Sequence, residues 1–228
     1  MPYYPVFLRV VDRRCVVVGG GEVATRKVVS LLEAGARVTV ISPRLTAELA
    51  TQMAAGTIEH AARVYRRGDL HGCFLAYAAT GDEQVHEQIA RDADAEGILL
   101  NVVDRPHLCT FIVPAVVRRG EIQIAVSTGG GSPALAGCVR DAIDASLGDE
   151  YEQALAVLSR LRTRLQESGM TPAQRQRAFK GLVGSELLDG IRTGDVAAVD
   201  RVLARFAGRD TTLASLGLAL RPDLHGGS

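Results

Sequence analysis

A glycine-rich segment near the N-terminus has the spacing of a dinucleotide-binding loop. Residues 19–24 read Gly-Gly-Gly-Glu-Val-Ala and fit the pattern G-x-G-x-x-A. In this pattern the first glycine allows a tight turn, the second lets a pyrophosphate approach the backbone, and the small last residue lets helix and strand pack closely. The segment follows a β-branched run at 14–18 and opens a stretch with helical apolar spacing. The sequence therefore predicts a dinucleotide site; the alternative is a glycine turn that binds nothing.

The segment after the second predicted strand leaves the choice between NAD and NADP open. An acidic residue at this place commonly binds the ribose 2′-hydroxyl of NAD. This chain has Ser42-Pro43-Arg44 instead. Arg44 would favour a 2′-phosphate, whereas a lone arginine in the first turn of a helix is more often solvated.

A carboxylate follows a later apolar strand. Asp104 comes shortly after the strand predicted at 98–101. Ligands of parallel α/β sheets bind beyond the carboxyl ends of the strands, so this carboxylate could act as a general base. The alternative is a residue that only caps the turn before Pro106. His107 and Cys109 lie nearby, but Asp-x-x-His-x-Cys is not a spacing typical of metal sites, and we predict no stable metal ligation.

A second glycine-rich segment precedes a helix further along the chain. Ser132 follows three glycines and is followed by Pro133, which is typical of a helix N-cap and a first helical residue. The same arrangement resembles an anion-binding nest. The two interpretations have equal weight at this point.

The elements that must position these residues fall into two patterns. Residues 14–101 alternate between strand-like and helix-like segments, which predicts an α/β fold with a doubly wound parallel sheet over residues 1–113. Within it, one helix is predicted from Leu45 to Ala55, and another, with Asp82 as its N-cap, is predicted to run to Ala95. After Pro114 the segments 115–118 and 121–127 indicate an exposed antiparallel pair, and 133–147 a helix. From Asp149 onward only helices are predicted, and residues 225–228 are predicted to be disordered. The first of these helices has an apolar stripe formed by Tyr151, Leu155, Leu158, Leu161 and Leu165.

Composition excludes several classes of protein. The chain has 228 residues, which suits one domain with a smaller appendage. Lys and Arg (26) balance Asp and Glu (26), which argues against a nucleic-acid partner. No stretch approaches the roughly 18 apolar residues that cross a bilayer, and no signal peptide is evident. The four cysteines are scattered, which is typical of reduced thiols. These features predict a cytoplasmic protein with no membrane partner.

Several segments together resemble one family. Residues 101–106 read Asn-Val-Val-Asp-Arg-Pro, and residues 126–135 read Val-Ser-Thr-Gly-Gly-Gly-Ser-Pro-Ala-Leu. With the glycine loop, Pro5-Val6-Phe7, Thr80-Gly81-Asp82 and the segment 110–115, they resemble the precorrin-2 dehydrogenase / sirohydrochlorin ferrochelatase family of siroheme synthesis. The resemblance covers about residues 3–165 and depends mainly on the two longer motifs.

The resemblance implies a fold, a reaction and an assembly. It implies a Rossmann-type NAD-binding domain (1–113), a small dimerisation region (114–148) and a helical C-terminal domain (149–228), assembled as a homodimer. The implied reaction is oxidation of the tetrapyrrole precorrin-2 by NAD+ to sirohydrochlorin, NADH and a proton. Some members then insert ferrous iron as a ferrochelatase, whereas others only oxidise. The resemblance also favours NAD over NADP.

The predicted site combines these indications. Asp104 is the predicted catalytic residue, and no metal ligand is predicted. The predicted cofactor-binding residues are Gly19, Gly21, Glu22, Val23, Ala24, Ser42, Pro43, Arg44, Thr80, Asn101 and Val103. The predicted substrate-binding residues are Ser127, Gly130, Ser132 and His107, which would face the many carboxylates of the tetrapyrrole. The alternative function is a non-catalytic dinucleotide sensor with a helical partner-binding tail, which would have no use for Asp104 or the 127–133 loop.

Overall fold

The computed structural model describes residues 3–221, which divide after Val113 into two compact units. The disorder predicted for 225–228 lies outside the described residues. No helix among residues 3–221 is long and apolar enough to cross a membrane.

The N-terminal unit is a five-stranded parallel sheet with helices on both faces. Its strands are β1 (Arg14–Val18), β2 (Arg37–Ile41), β3 (Ile58–Ala61), β4 (Leu75–Ala78) and β5 (Leu99–Val102). Its helices are α1 (Glu22–Glu33), α2 (Ala47–Ala54) and α3 (Glu83–Glu96). The strand order is β3-β2-β1-β4-β5, and every pairing is parallel. The predicted doubly wound α/β fold is confirmed.

Both faces of this sheet are buried, which explains the near-continuous apolar strands. Alternate residues of β1 enter opposite cores: Cys15 and Val17 share a core with residues of α1 and α2, while Val16 and Val18 share a core with residues of α3. The chain leaves β1 in one direction and β4 in the other, so the strand order reverses between them. In open α/β sheets a ligand crevice lies at such a reversal, beyond the carboxyl ends of the strands.

Side-chain caps decide where α2 and α3 begin. Asp82 caps α3 as predicted, accepting hydrogen bonds from the backbone N–H groups of Gln84 and Val85. Helix α2 begins at Ala47 rather than at the predicted Leu45, because the Thr46 hydroxyl accepts from the Leu49 N–H at 3.3 Å. The expectation that Arg44 lies in the first turn of a helix is therefore wrong, and Arg44 lies in the loop before the helix.

The C-terminal unit begins with an antiparallel hairpin and continues as helices. The hairpin strands are β6 (Ala115–Arg119) and β7 (Ile122–Val126). The helices are α4 (Pro133–Ser146), α5 (Glu150–Glu167), α6 (Pro172–Val183), α7 (Leu187–Arg192) and α8 (Val196–Ala207). The hairpin is less exposed than predicted, because α4 packs against both strands and Val117 is buried.

The helices of this unit share a core that the apolar spacing of α5 identifies only in part. Leu161 and Leu165 are buried as predicted, but Tyr151, Leu155 and Leu158 are only half-buried. The buried face of α5 is instead completed by Gln153, Ala154 and Val157. The prediction followed the largest apolar side chains, whereas the face is set by helical spacing and includes small and polar residues.

Candidate active site

The first glycine of the loop fits tightly between two strand ends. Gly19 has φ 127°, a conformation that side chains disfavour, and its N–H donates to the Ile41 carbonyl at 2.9 Å. A Cβ added to Gly19 would collide with the backbone carbonyl of Ala79, which follows β4. The loop is therefore held between the end of β2 and the end of β4.

The middle glycine, Gly20, occupies the variable position of the motif, and packing requires a glycine there. A Cβ on Gly20 would lie 2.7 Å from the Ser42 Oγ and would also collide with the Arg44 carbonyl. The Gly20 carbonyl accepts from the Thr46 N–H at 3.0 Å. Glycine at the variable position of G-x-G-x-x-A thus lets the loop contact the segment that follows β2.

The third glycine begins α1 and faces open space. Gly21 is the N-cap of α1, no side chain caps this helix among the described residues, and nothing lies within 4 Å of a Cβ added there. Thr25 donates to the Gly21 carbonyl at 3.1 Å and bonds the Thr46 hydroxyl at 2.9 Å, which fixes the start of α1 to the start of α2. Uncapped N–H groups at a helix start are suited to a phosphate. The loop therefore fits the pyrophosphate of a dinucleotide.

The segment after β2 has one buried and one free polar side chain. The Ser42 hydroxyl is buried and donates to the Arg44 carbonyl at 2.7 Å, while His60 Nε2 lies 2.8 Å from the Ser42 carbonyl oxygen. Ser42 therefore shapes the turn. Pro43 and the Arg44 side chain are exposed, and the Arg44 guanidinium has no partner within residues 3–221.

A cleft of about 340 Å³ adjoins the glycine loop. It is formed by the first turn of α1 and by the segments that follow β4 and β5. Its lining residues are Val23, Ala79, Thr80, Gly81, Glu83, His86, Val103, Asp104 and Arg105. Four of the predicted site residues, Val23, Thr80, Val103 and Asp104, thus lie together around one cavity.

Asp104 has an unusual backbone and an unpaired side chain. Its φ is 58°, which among the non-glycine residues described is shared only with Asp12. The exposed carboxylate accepts no hydrogen bond from any described residue, so it does not cap the turn before Pro106. The neighbouring Arg105 guanidinium is instead paired with Glu83 at 3.2 Å. The two oxygens of Asp104 therefore remain available to a ligand.

Cys109 and Asn101 hold the segment that carries Asp104. The Cys109 sulfur accepts from the Val102 N–H at 3.2 Å, and Asn101 Nδ2 donates to the Phe111 carbonyl at 3.0 Å. Burial raises the pKa of the Cys109 thiol, which favours the protonated, hydrogen-bonding form. Asn101 does not line the cleft, so its amide supports the loop. His107 is exposed in a 3-10 turn, and no described cluster of His, Cys, Asp and Glu is arranged to hold a metal ion.

The remaining predicted residues lie in the C-terminal unit. The Ser132 hydroxyl accepts from the Leu135 N–H at 3.2 Å, which confirms its place as the N-cap of α4. The Ser127 hydroxyl accepts from the Gly129 N–H at 3.1 Å, and Gly130 has φ 87°. These contacts account for the fold of the 127–133 loop and leave its part in substrate binding a prediction.

One buried residue of the cleft belongs to no sequence motif. His86 lies in α3, is only 5% exposed, and has no hydrogen-bond partner for either ring nitrogen among the described residues. Its spacing with Ile89 and Ala93 places it on the buried face of the helix. A histidine on an otherwise apolar stripe is the signal that could have identified it.

Comparison with known proteins gives matches in both units. A family model described as "Putative NAD(P)-binding" matches residues 6–115, and one described as "Sirohaem biosynthesis protein central" matches residues 119–146. The siroheme synthase of Methylobacillus flagellatus is 40% identical over 208 residues, which are 90% of this chain and 44% of that protein. The siroheme synthase of Azotobacter vinelandii is 41% identical over 213 residues, or 91% and 46% of the two chains. The predicted family resemblance is confirmed.

The chain is thus related to siroheme synthases, but it spans less than half the length of these relatives. A solved structure of SirC, a precorrin-2 dehydrogenase, has the same fold, with a TM-score of 0.76 at 23% identity over 90% of this chain and 98% of that one. The "Putative NAD(P)-binding" model matches almost the whole N-terminal unit, and the glycine loop of that unit has the geometry that a dinucleotide needs.

Substitutions of the neighbouring residues Gly20 and Gly21 should have different effects. Gly20→Ala should lower the free energy of unfolding by about 1–3 kcal/mol, because the new methyl group collides with Ser42 and Arg44. Gly21→Ala should fold with unchanged stability, because its methyl group enters open space, yet should weaken NAD+ binding at least about tenfold by obstructing the pyrophosphate. Urea denaturation and NAD+ titration measure the two effects. Wild-type affinity in Gly21→Ala would contradict the placement of the pyrophosphate.

Proposed function

We propose that this chain oxidises precorrin-2 to sirohydrochlorin with NAD+ as the hydride acceptor. The observation that carries the proposal is the unpaired carboxylate of Asp104 on the wall of the cleft beside the dinucleotide loop. The names of the siroheme synthase relatives and of the precorrin-2 dehydrogenase with the same fold support the choice of substrate.

The reaction removes a hydride and a proton from the macrocycle. Precorrin-2 and NAD+ give sirohydrochlorin, NADH and one proton, so the protein must orient the two reactants and accept that proton. The nicotinamide ring supplies the hydride chemistry, and the protein supplies position and charge. Gly19–Gly21 and the start of α1 would hold the pyrophosphate. The cleft would bring the substrate against the dinucleotide.

Asp104 is the proposed general base. A base must have a free acceptor atom within reach of the proton, and the Asp104 oxygens accept no hydrogen bond from residues 3–221. The left-handed backbone at 104 is one that Asp and Asn tolerate better than other side chains. Because Asp12 has the same backbone conformation, what distinguishes Asp104 is its place on the wall of the cleft, where a bound reactant would meet its carboxylate.

The carboxylates of the substrate need hydrogen-bond donors from the protein. We assign this role to Ser127, Gly130, Ser132 and His107. Ser132 accepts from the Leu135 N–H with its oxygen, and its own hydroxyl proton remains available to an anion. The N-cap and anion-binding interpretations of Ser132 are therefore compatible with each other.

An assay with the natural reactants tests the proposed function. Under anaerobic conditions, with precorrin-2 generated in situ, we expect NADH and the sirohydrochlorin spectrum to appear together, and NADP+ to be used less well than NAD+. Added ferrous iron then tests whether siroheme forms faster than in the protein-free control, which would add a chelatase activity. A protein that binds a dinucleotide but oxidises nothing would instead support the sensor hypothesis.

Asp104→Asn tests the proposed base. Asn keeps the shape of the side chain and tolerates the left-handed backbone. We therefore expect the free energy of unfolding to change by less than about 0.5 kcal/mol. Loss of the base should lower kcat about 10²- to 10⁴-fold. Asp12→Asn is the matched control, since Asp12 has the same φ of 58°, is also exposed, and does not line the cleft. Equal rates for Asp104→Asn and Asp12→Asn would rule out a catalytic role.

The assembly is also a proposal. We propose a homodimer in which the β6–β7 hairpin contributes to the interface, because unpaired strand edges tend to be covered by a partner. Size-exclusion chromatography with light scattering should give twice the 24.2 kDa of one chain. A mass of one chain across the concentrations used in the assay would contradict the dimer.

A further inference from the structure

His86 is a buried polar side chain without partners, on the wall of a cleft. Helix α3 directs His86 to the same side as Ile89 and Ala93, which pack in the core beneath the sheet. The imidazole is 5% exposed, and neither Nδ1 nor Nε2 has a hydrogen-bond partner in the part of the chain that is described. The residue also lines the 340 Å³ cleft that Thr80 and Asp104 share.

Such a group needs a physical explanation. A neutral imidazole has one donor and one acceptor, and burying them without partners costs free energy. An apolar side chain of similar size would fill the same place without that cost. Because buried polar groups in native proteins are nearly always bonded, the partner of His86 is expected to come from the cleft that it borders.

The order of the strands indicates which part of the ligand reaches this cleft. A dinucleotide in the crevice of a doubly wound sheet lies across the strand ends, with its pyrophosphate at the glycine loop after β1. The Ser42–Arg44 segment follows β2 on one side of that loop, where the adenosine half would lie. The cleft follows β4 and β5 on the other side. The half that extends toward His86 is therefore the nicotinamide half.

We propose that His86 is a further cofactor-binding residue, which hydrogen-bonds the nicotinamide half of the dinucleotide. The carboxamide and the ribose hydroxyls of that half both offer a donor and an acceptor, which match the two ring nitrogens of a neutral imidazole. The contact would orient the nicotinamide ring in the cleft that Asp104 also lines. The inference rests on the dinucleotide site of the proposed function and not on the identity of the substrate.

The proposed contact of His86 can be tested with three ligands that differ only in how much of the nicotinamide half they contain. The full chain and its His86→Leu variant would be titrated by calorimetry with NAD+, with ADP-ribose, which lacks the nicotinamide ring, and with ADP, which lacks the whole nicotinamide half. We expect His86→Leu to bind NAD+ at least about tenfold more weakly and ADP equally well. The response to ADP-ribose then tells whether the ribose or the carboxamide is bonded, and either result supports the proposal.

A structural role of His86 would give a different pattern. Because leucine removes two unpaired buried nitrogens, His86→Leu should be at least as stable as the wild type. If His86→Leu bound NAD+ and ADP more weakly to the same extent, or bound both as tightly as the wild type, the proposal would be overturned. His71→Leu, at an exposed histidine away from the cleft, is the control and should change none of the affinities.

A second readout does not depend on the leucine variant folding. The ¹⁵N resonances of the His86 ring should shift when NAD+ is added to the wild-type protein and stay unchanged with ADP, and His86→Gln should retain part of the NAD+ affinity. If the ¹⁵N resonances of the His86 ring did not shift on addition of NAD+, the proposed contact would be wrong. Since no tetrapyrrole is present in these experiments, a protein that binds NAD+ through His86 and fails to oxidise precorrin-2 would overturn the proposed function alone.

Discussion

The close approach of the glycine loop to two strand ends is the constraint on which the site depends. Gly19 lies against the Ala79 carbonyl after β4, and Gly20 lies against Ser42 after β2. Neither position has room for a side chain. Because the loop is held on both sides, α1 begins at a fixed place at the carboxyl edge of the sheet. That place determines where a pyrophosphate can bind and which strand ends each half of a dinucleotide can reach.

The loops around the cleft are supported by bonds that are separate from the groups offered to ligands. The sulfur of Cys109 and the amide of Asn101 bond the segment that carries Asp104, and the hydroxyl of Ser42 shapes the turn that carries Arg44. These polar residues occur in or beside the recognised motifs, yet their side chains are used for the backbone. A motif therefore marks both the residues that meet a ligand and the residues that hold them in place.

Spacing in the sequence was sufficient for the fold, and four of the residues that it singled out line one cleft. Alternating strands and helices predicted the parallel sheet, and Asp82 and Ser132 were identified as caps from their residue types. The start of α2 was missed because Thr46, and not the first apolar residue, ends the loop. The sequence does not identify His86 as a site residue, because the feature that marks it is the lack of hydrogen-bond partners for its two ring nitrogens, which only the packed structure reveals. The side-chain role of Asn101 likewise depends on a contact ten residues along the chain.

Four polar groups of the N-terminal unit that lack a partner among the described residues follow four strands that are neighbours in the sheet. Arg44 follows β2, the uncapped start of α1 follows β1, His86 belongs to the helix after β4, and Asp104 follows β5. The His86 side chain is buried, and buried polar groups are nearly always bonded, so its place in this row along one edge favours a ligand that crosses the edge. The first three would be sufficient to hold a dinucleotide. A carboxylate at the end of the row adds nothing to that task, which favours a reacting substrate over a sensor's bound nucleotide.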